Sequence, residues 1–256
     1  MTSIDADIDI SKTYTELLPE LGSYLYRLTC DKEVSNDIVQ DTFVKVMEKQ
    51  DQFNGRSSLK TWIFSIGTNL AMDWLRKKKR WSETAQDEAK SLAQSDPHYR
   101  AALMDKSQNS PSGAFDFKEH INFCFTCISK TLPLDQQVAL ILKDIYDFKI
   151  NEISAILGSP EGTVKHWLFL ARQTMSDIFD RRCALVNKQG VCYQCSELNG
   201  LFNPKQKQLK NVFQAVDKKD LYTLRTRLVK TIDPLSANGS DLEDTIMQIL
   251  RKAIDD

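Results

Sequence analysis

The chain has 256 residues, 41% of them hydrophobic and 27% charged, with a formal net charge of −1. That suits one large globular domain or two or three small ones, and it excludes a globally basic nucleic-acid binder. Any contact with nucleic acid must come from local cationic patches offset by acidic surface, which favours a protein that engages DNA through a larger partner.

The first ten residues are acidic and polar, without the basic start and apolar core of a secretory leader. No apolar run approaches the length of a membrane span. The expectation is a cytoplasmic protein with no membrane insertion, whose six cysteines stay reduced and serve as core residues or metal ligands.

The spacing predicts a helix over 13–29, with Leu17, Leu18, Leu21, Leu25 and Leu28 on its apolar side and Pro19 near its start. Cys30 reads as buried filler. Residues 31–35 read as a polar turn, with Ser35 or Asn36 capping the next helix. That helix carries Ile38, Val39, Thr42, Phe43, Val46 and Met47 on one face and is broken at Asn54-Gly55. A third helix follows, its predicted buried stripe being Leu59, Ile63, Ile66, Leu70 and Trp74. It runs into five consecutive cations, Arg76, Lys77, Lys78, Lys79 and Arg80, with Trp62, Phe64, Trp74 and Trp81 nearby. Cations attract phosphate and aromatic faces stack unpaired bases, so this stretch suggests a platform for single-stranded nucleic acid.

Residues 82–114 are rich in Ser, Asp, Gln, Pro and Gly and poor in large apolar groups, and read as a flexible tether with a short helix near 99–104. Helices are then predicted over 117–130 and 134–147, the latter with Val138, Ile141, Leu142 and Ile145 inward. A short helix over 150–157, the turn Gly158-Ser159-Pro160 and a longer helix over 161–179 form a helix-turn-helix pattern. Ser159 reads as the cap of the longer helix, whose inner stripe is Val164, Leu168, Ala171, Met175 and Ile178. Such a helix enters the major groove by its N-terminal end, and its outward residues Thr163, Lys165, His166, Phe169 and Arg172 are the candidates for base and phosphate contact.

Cys192 and Cys195 have the spacing of a metal knuckle, with Cys183 nine residues upstream. Three thiolates would suit zinc, or else copper(I), with His120, Cys124 or Cys127 as a fourth ligand. For Cys124, core packing beside Ile121, Ile128 and Leu132 is favoured over ligation. Three further helices are predicted over 204–216, 218–232 and 240–254. They make the tail a helical extension.

Three segments taken in order, DIVQDTFVKVMEK, FNGRSSLKTWIFSIGTNLAMDWLRKKKR and LPLDQQVALILKDIYDFKINEISAILGSPEGTVKHWLFLARQ, resemble the extracytoplasmic-function sigma factors of bacterial RNA polymerase. The resemblance covers roughly residues 13–182. It implies an all-α chain of two small helical domains, 13–81 and 115–182, joined by a linker over 82–114 and followed by a Cys-containing extension over 183–256. The first domain would open the −10 promoter element and dock on the polymerase clamp; the second would read the −35 element. The resemblance assigns the clamp-facing side of the second helix to Asp37, Gln40, Asp41, Val44 and Glu48. It assigns the flipped-base pocket to the loop 53–60, including Arg56, Ser57, Ser58 and Lys60, with Trp62 close by, and the path of the displaced strand to Asn69, Asp73 and the 76–80 cations. The implied partners are the polymerase core and promoter DNA, with room for an anti-sigma factor; no catalytic group and no obligatory cofactor are expected. Trp167 and Leu170 depart from the basic character usual in the family's recognition helix and are expected to pack on the C-terminal extension. The alternative is a stand-alone helix-turn-helix regulator with a metal or thiol sensor tail, which would have no use for the 36–81 block.

Overall fold

The computed structural model describes residues 10–99, 101, 117–183, 218–236 and 240–255. Within them the regular structure is helical: α1 (Ile10–Thr29), α2 (Lys32–Glu48), α3 (Leu59–Leu75), α4 (Ala85–Ser95), α5 (Phe117–Ser129), α6 (Leu134–Asp144), α7 (Ile150–Leu157), α8 (Glu161–Arg182), α9 (Lys218–Lys230) and α10 (Ser240–Asp255). None of these helices is long and apolar enough to cross a membrane.

Local chemistry sets the boundaries. α1 stops where Cys30 takes a positive φ of 56°. The Asp31 carboxylate then caps α2 by accepting from the amides of Glu33 (3.1 Å) and Val34 (3.2 Å). Ser35 and Asn36, expected as caps, lie inside that helix, because Asp31 offers a carboxylate one turn earlier. Pro19 sits mid-helix in α1, which begins at Ile10. Ser58 caps α3 through the Thr61 amide at 3.0 Å. Gly158, at φ 60°, makes the turn between α7 and α8. Ser159 does not cap α8: its hydroxyl bonds back to the Leu157 carbonyl at 3.3 Å.

α1, α2 and α3 pack on one another around Gly67, where a Cβ would lie 3.2 Å from Leu21 Cδ1 and 3.3 Å from Thr42 Oγ1. That close approach rotates α3 relative to the predicted stripe. Thr61, Ile63, Phe64, Thr68, Ala71, Met72 and Leu75 are buried, and Leu59, Ile66, Leu70 and Trp74 are only partly covered. Phe43, expected inward, stays 38% exposed beside Tyr14.

Among the described residues two hydrophobic cores result. One joins α1–α3 to α6, α7 and the first half of α8, and includes Leu21, Tyr24, Phe64, Val138, Phe148, Ile153 and Leu168. Trp167 packs against this core, which among the described residues contains none of the extension. The other joins α5 and the second half of α8 to Trp81, Ala85 of α4, Val229 of α9 and Met247, Ile249 and Leu250 of α10. The 82–114 stretch is therefore not wholly extended chain: α4 is an eleven-residue helix packed on α10. Composition missed this because the apolar partner surface for α4 lies 150 residues further along the chain. Residues 97–99 and 101 are helical, and the rest of the expected 99–104 helix lies outside the described residues.

Candidate nucleic-acid interface

The loop before α3 is built by short-range polar bonds. The Asn54 side chain accepts from the Arg56 amide (3.2 Å), Gly55 has φ 70°, and Ser58 Oγ lies 2.8 Å from Thr61 Oγ1. Phe53 and Trp62 rings pack at 5.3 Å and Trp62 is half-buried. Arg56 is exposed and Ser57 half-buried. Lys60 is engaged: its amine pairs with Glu20 at 2.6 Å and lies 4.9 Å from the Phe148 ring centroid.

Asn69 and Asp73 lie exposed along α3. α3 ends at Leu75, so the cation run forms a turn beyond the helix. Arg76 pairs with Asp73 at 2.8 Å, Lys77 is exposed, and the Lys78 amine sits 5.4 Å from the Trp74 ring. Lys79 donates to the Ile254 carbonyl of α10 at 3.3 Å. Arg80 turns inward to Gln137 (2.7 Å) and the Ser129 carbonyl (3.4 Å), and burial lowers its pKa to about 10. Of the four nearby aromatics, Phe64 and Trp81 are core residues, because the rotated α3 and the docked α4 cover them. The exposed cationic edge is thus Arg76 to Lys79, beside a half-buried Trp74.

On α2, Asp37, Gln40, Asp41, Val44 and Glu48 all face solvent along one stripe, with Val44 52% exposed. At the start of α8, Lys165 and His166 are exposed, Thr163 is half-buried and Phe169 is 64% exposed. Lys165 pairs loosely with Glu161 at 3.8 Å. Arg172 is held by Asp144 in a two-point contact of 3.0 and 2.5 Å, which raises its pKa through the charge-assisted hydrogen bond. Tyr222 of α9 donates to the same carboxylate at 2.6 Å.

Cys124 and Cys127 are buried in the second core and Cys183 is half-buried at the end of α8. Among the described residues no group of three His, Cys, Asp or Glu side chains could hold a metal ion. Cys192, Cys195 and the expected 204–216 helix lie outside those residues, as does the side chain of His120.

Sequence reading missed Arg27, 2% exposed and bonded to Asn122, to Thr126 (3.4 Å) and to the carbonyls of Val229 (3.2 Å) and Ile232 (2.7 Å). Its signal was an arginine three residues after Tyr24 on an otherwise apolar stripe, where a buried charge has to find partners.

Comparison with known proteins separates two matched segments. The family model for sigma-70 region 2 matches residues 13–81 and that for sigma-70 region 4 matches residues 123–175. The chain is 30% identical over 159 residues to the ECF RNA polymerase sigma factor EcfG of Rhodopseudomonas palustris, covering 62% of this chain and 78% of the relative. It is 26% identical over 166 residues to the RNA polymerase sigma factor YlaC of Bacillus subtilis, covering 64% and 87%. The sigma factor RpoE of Bartonella quintana, solved in complex with the anti-sigma factor NepR, superposes with a TM-score of 0.47 at 24% identity, covering 67% of this chain and 96% of that one. With both sigma-70 regions matched in order and most of a relative's length shared, the chain belongs to the ECF RNA polymerase sigma factors.

Proposed function

We propose that the protein directs core RNA polymerase to specific promoters, with residues 13–81 opening the −10 element and residues 115–182 reading the −35 element. The observation that carries this reading is the placement of two unlike solvent faces on one small helical unit. The acidic α2 stripe through Asp41 and Val44 suits a protein partner, and the Arg76–Lys79 edge suits phosphate. Base extraction costs a few kcal/mol, which a pocket at loop 53–60 and stacking on Trp62 or Trp74 can offset. The chemistry of RNA synthesis stays with the polymerase, and this chain supplies positioning and charge. The test is run-off transcription with core polymerase on promoter DNA, together with permanganate reactivity of thymines in the −10 element. Initiation and reactive thymines that both depend on the protein support the reading; neither, with an otherwise competent core, refutes it.

The finer part of the proposal is control through the 183–256 extension. Thiolates of Cys183, Cys192 and Cys195 would bind zinc next to the end of α8, and metal or thiol state would change how the extension sits on the DNA-reading unit. Zinc content of the purified protein against a Cys192→Ser/Cys195→Ser variant decides the metal: stoichiometric zinc lost in the variant supports it, and equal, near-zero zinc in both ends it.

A further inference from the structure

Elements at −10 and −35 are separated by roughly 25 base pairs, or about 85 Å of B-form DNA at about 34 Å per turn. In the structure the units assigned to them touch. Phe64 and Phe148 ring centroids are 4.9 Å apart, Tyr24 meets Tyr146 edge-on at 5.5 Å, and Thr61 Oγ1 lies 3.4 Å from the Glu152 carboxylate. The segment between Trp81 and Phe117 could bridge the gap, since about 35 residues reach somewhat over ~110 Å when extended. α4 takes up eleven of those residues and lies against α10, and its start is tied to α8 by Arg181–Glu83 (2.9 Å) and Arg182–Asp87 (2.6 Å).

Three of the polar contacts made by the C-terminal helices tie this arrangement together. Arg27 of α1 donates at once to α5 and to the carbonyls of Val229 and Ile232 at the end of α9, so one buried guanidinium joins the first unit, the second unit and the tail. Arg251 of α10 donates to the Cys30 carbonyl and pairs with Asp31 at 3.3 Å, fixing the tail to the corner between α1 and α2. Tyr222 of α9 joins the Asp144 carboxylate that engages Arg172 of the recognition helix. Buried groups of this kind are lost together, because freeing one leaves carbonyls and charges without partners.

We propose that α9 and α10 are a clasp: they hold the two DNA-facing units closed on each other, hold α4 docked and join the Asp144 carboxylate that engages Arg172, so that the chain must unclasp before both units can sit on one promoter. The consequence for promoters rests on the function proposed above; the closure itself does not.

Two full-length variants test it. Leu250→Asp places a carboxylate at a fully buried position of α10. Arg251→Ala/Tyr222→Phe removes polar anchors and leaves the apolar packing. Small-angle scattering, without DNA or polymerase, should give a radius of gyration larger than wild type by about a quarter or more for Leu250→Asp, since separated units are no longer one compact body. The double variant should show a smaller rise, and circular dichroism should show helix loss no greater than α10 accounts for. Run-off transcription per mole of protein should rise several-fold in both. An unchanged radius in both variants overturns the clasp. A larger radius with transcription no faster than wild type overturns the claim that closure limits promoter engagement. Absence of transcript from every form, wild type included, refutes the promoter reading, and the radius alone then decides the clasp.

Discussion

Lys130 tests how the junction between the units is balanced. Its side chain is 4% exposed, its amine donates to the Leu28 carbonyl at 2.8 Å and lies 5.6 Å from the Trp81 ring, and Arg80 and Arg251 repel it. Burial pulls its pKa from 10.5 down to about 8. Below pH 8 both folded and unfolded chains hold the proton, and the folded state carries the full cost of the buried charge, on the order of 3 kcal/mol. Between pH 8 and 10.5 the folded chain has lost the proton while the unfolded chain keeps it, so stability rises with pH by up to about 1.4 kcal/mol per unit. Lys130→Met keeps the volume and removes the charge, but leaves the Leu28 carbonyl without its donor at a cost of about 1–3 kcal/mol. At pH 7 the variant should therefore equal wild type or exceed it by up to ~2 kcal/mol, and the order should reverse by pH 10. Cys30 acts oppositely. Burial raises its thiol pKa above 9.0, so at higher pH the unfolded chain ionises first and stability falls; the Lys130 charge opposes that rise, so Lys130→Met raises the thiol pKa further and the variant's loss acts in the same direction as the reversal. Urea midpoints for the two proteins from pH 7 to 10 provide the measurement. Parallel pH curves would refute the reasoning.

Gly67→Ala should change stability by less than ~1 kcal/mol, the helix-propensity gain offsetting contacts at 3.2 and 3.3 Å, whereas Gly67→Leu should cost more than ~2 kcal/mol in thermal or urea unfolding. Lys165→Ala should weaken promoter-duplex binding across sequences and lower the salt slope of the affinity by about 1, read from titrations at several salt concentrations; an unchanged slope would remove Lys165 from the interface. Val44→Asp, on the outer stripe of α2, should leave the unfolding midpoint within ~0.5 kcal/mol of wild type and weaken co-migration with core polymerase at least several-fold; undiminished co-migration would exclude that face.

The helices were legible because their signals are local. Apolar spacing placed α6, α7 and the inner stripe of α8, and Gly158 marked the turn between them. Thr163, Lys165, His166 and Phe169 were read as outward by the same periodicity, and none of them is buried. The face of α3 was not legible, because its orientation depends on a missing side chain: Gly67 lets α1 and α2 approach, and the helix turns to bring Thr61, Phe64 and Thr68 inward. Nor was α4, whose sequence is polar enough to look like linker until α10 supplies the surface that Ala85 and Leu92 pack toward.

Cations are ambiguous in a sequence, and for a physical reason. Lysine and arginine beside helices suit phosphate, but they suit carbonyl groups at a helix C-terminus equally well. The end of α1 uses that second chemistry: Lys130 bonds the Leu28 carbonyl, Arg251 bonds the Cys30 carbonyl, and Arg80 lies close enough for its charge to act on the Cys30 thiol. These three come from α10, from the end of α5 and from the turn after α3, so no local window of sequence could have brought them together. Arg80 illustrates the ambiguity best, being continuous in sequence with the exposed Arg76–Lys79 edge yet turned to Gln137 of the second unit. Three like charges around one helix end repel one another, and burial, with that repulsion added, depresses the Lys130 pKa. The junction is therefore cohesive through Arg27 and the aromatic contacts, and strained through its cations.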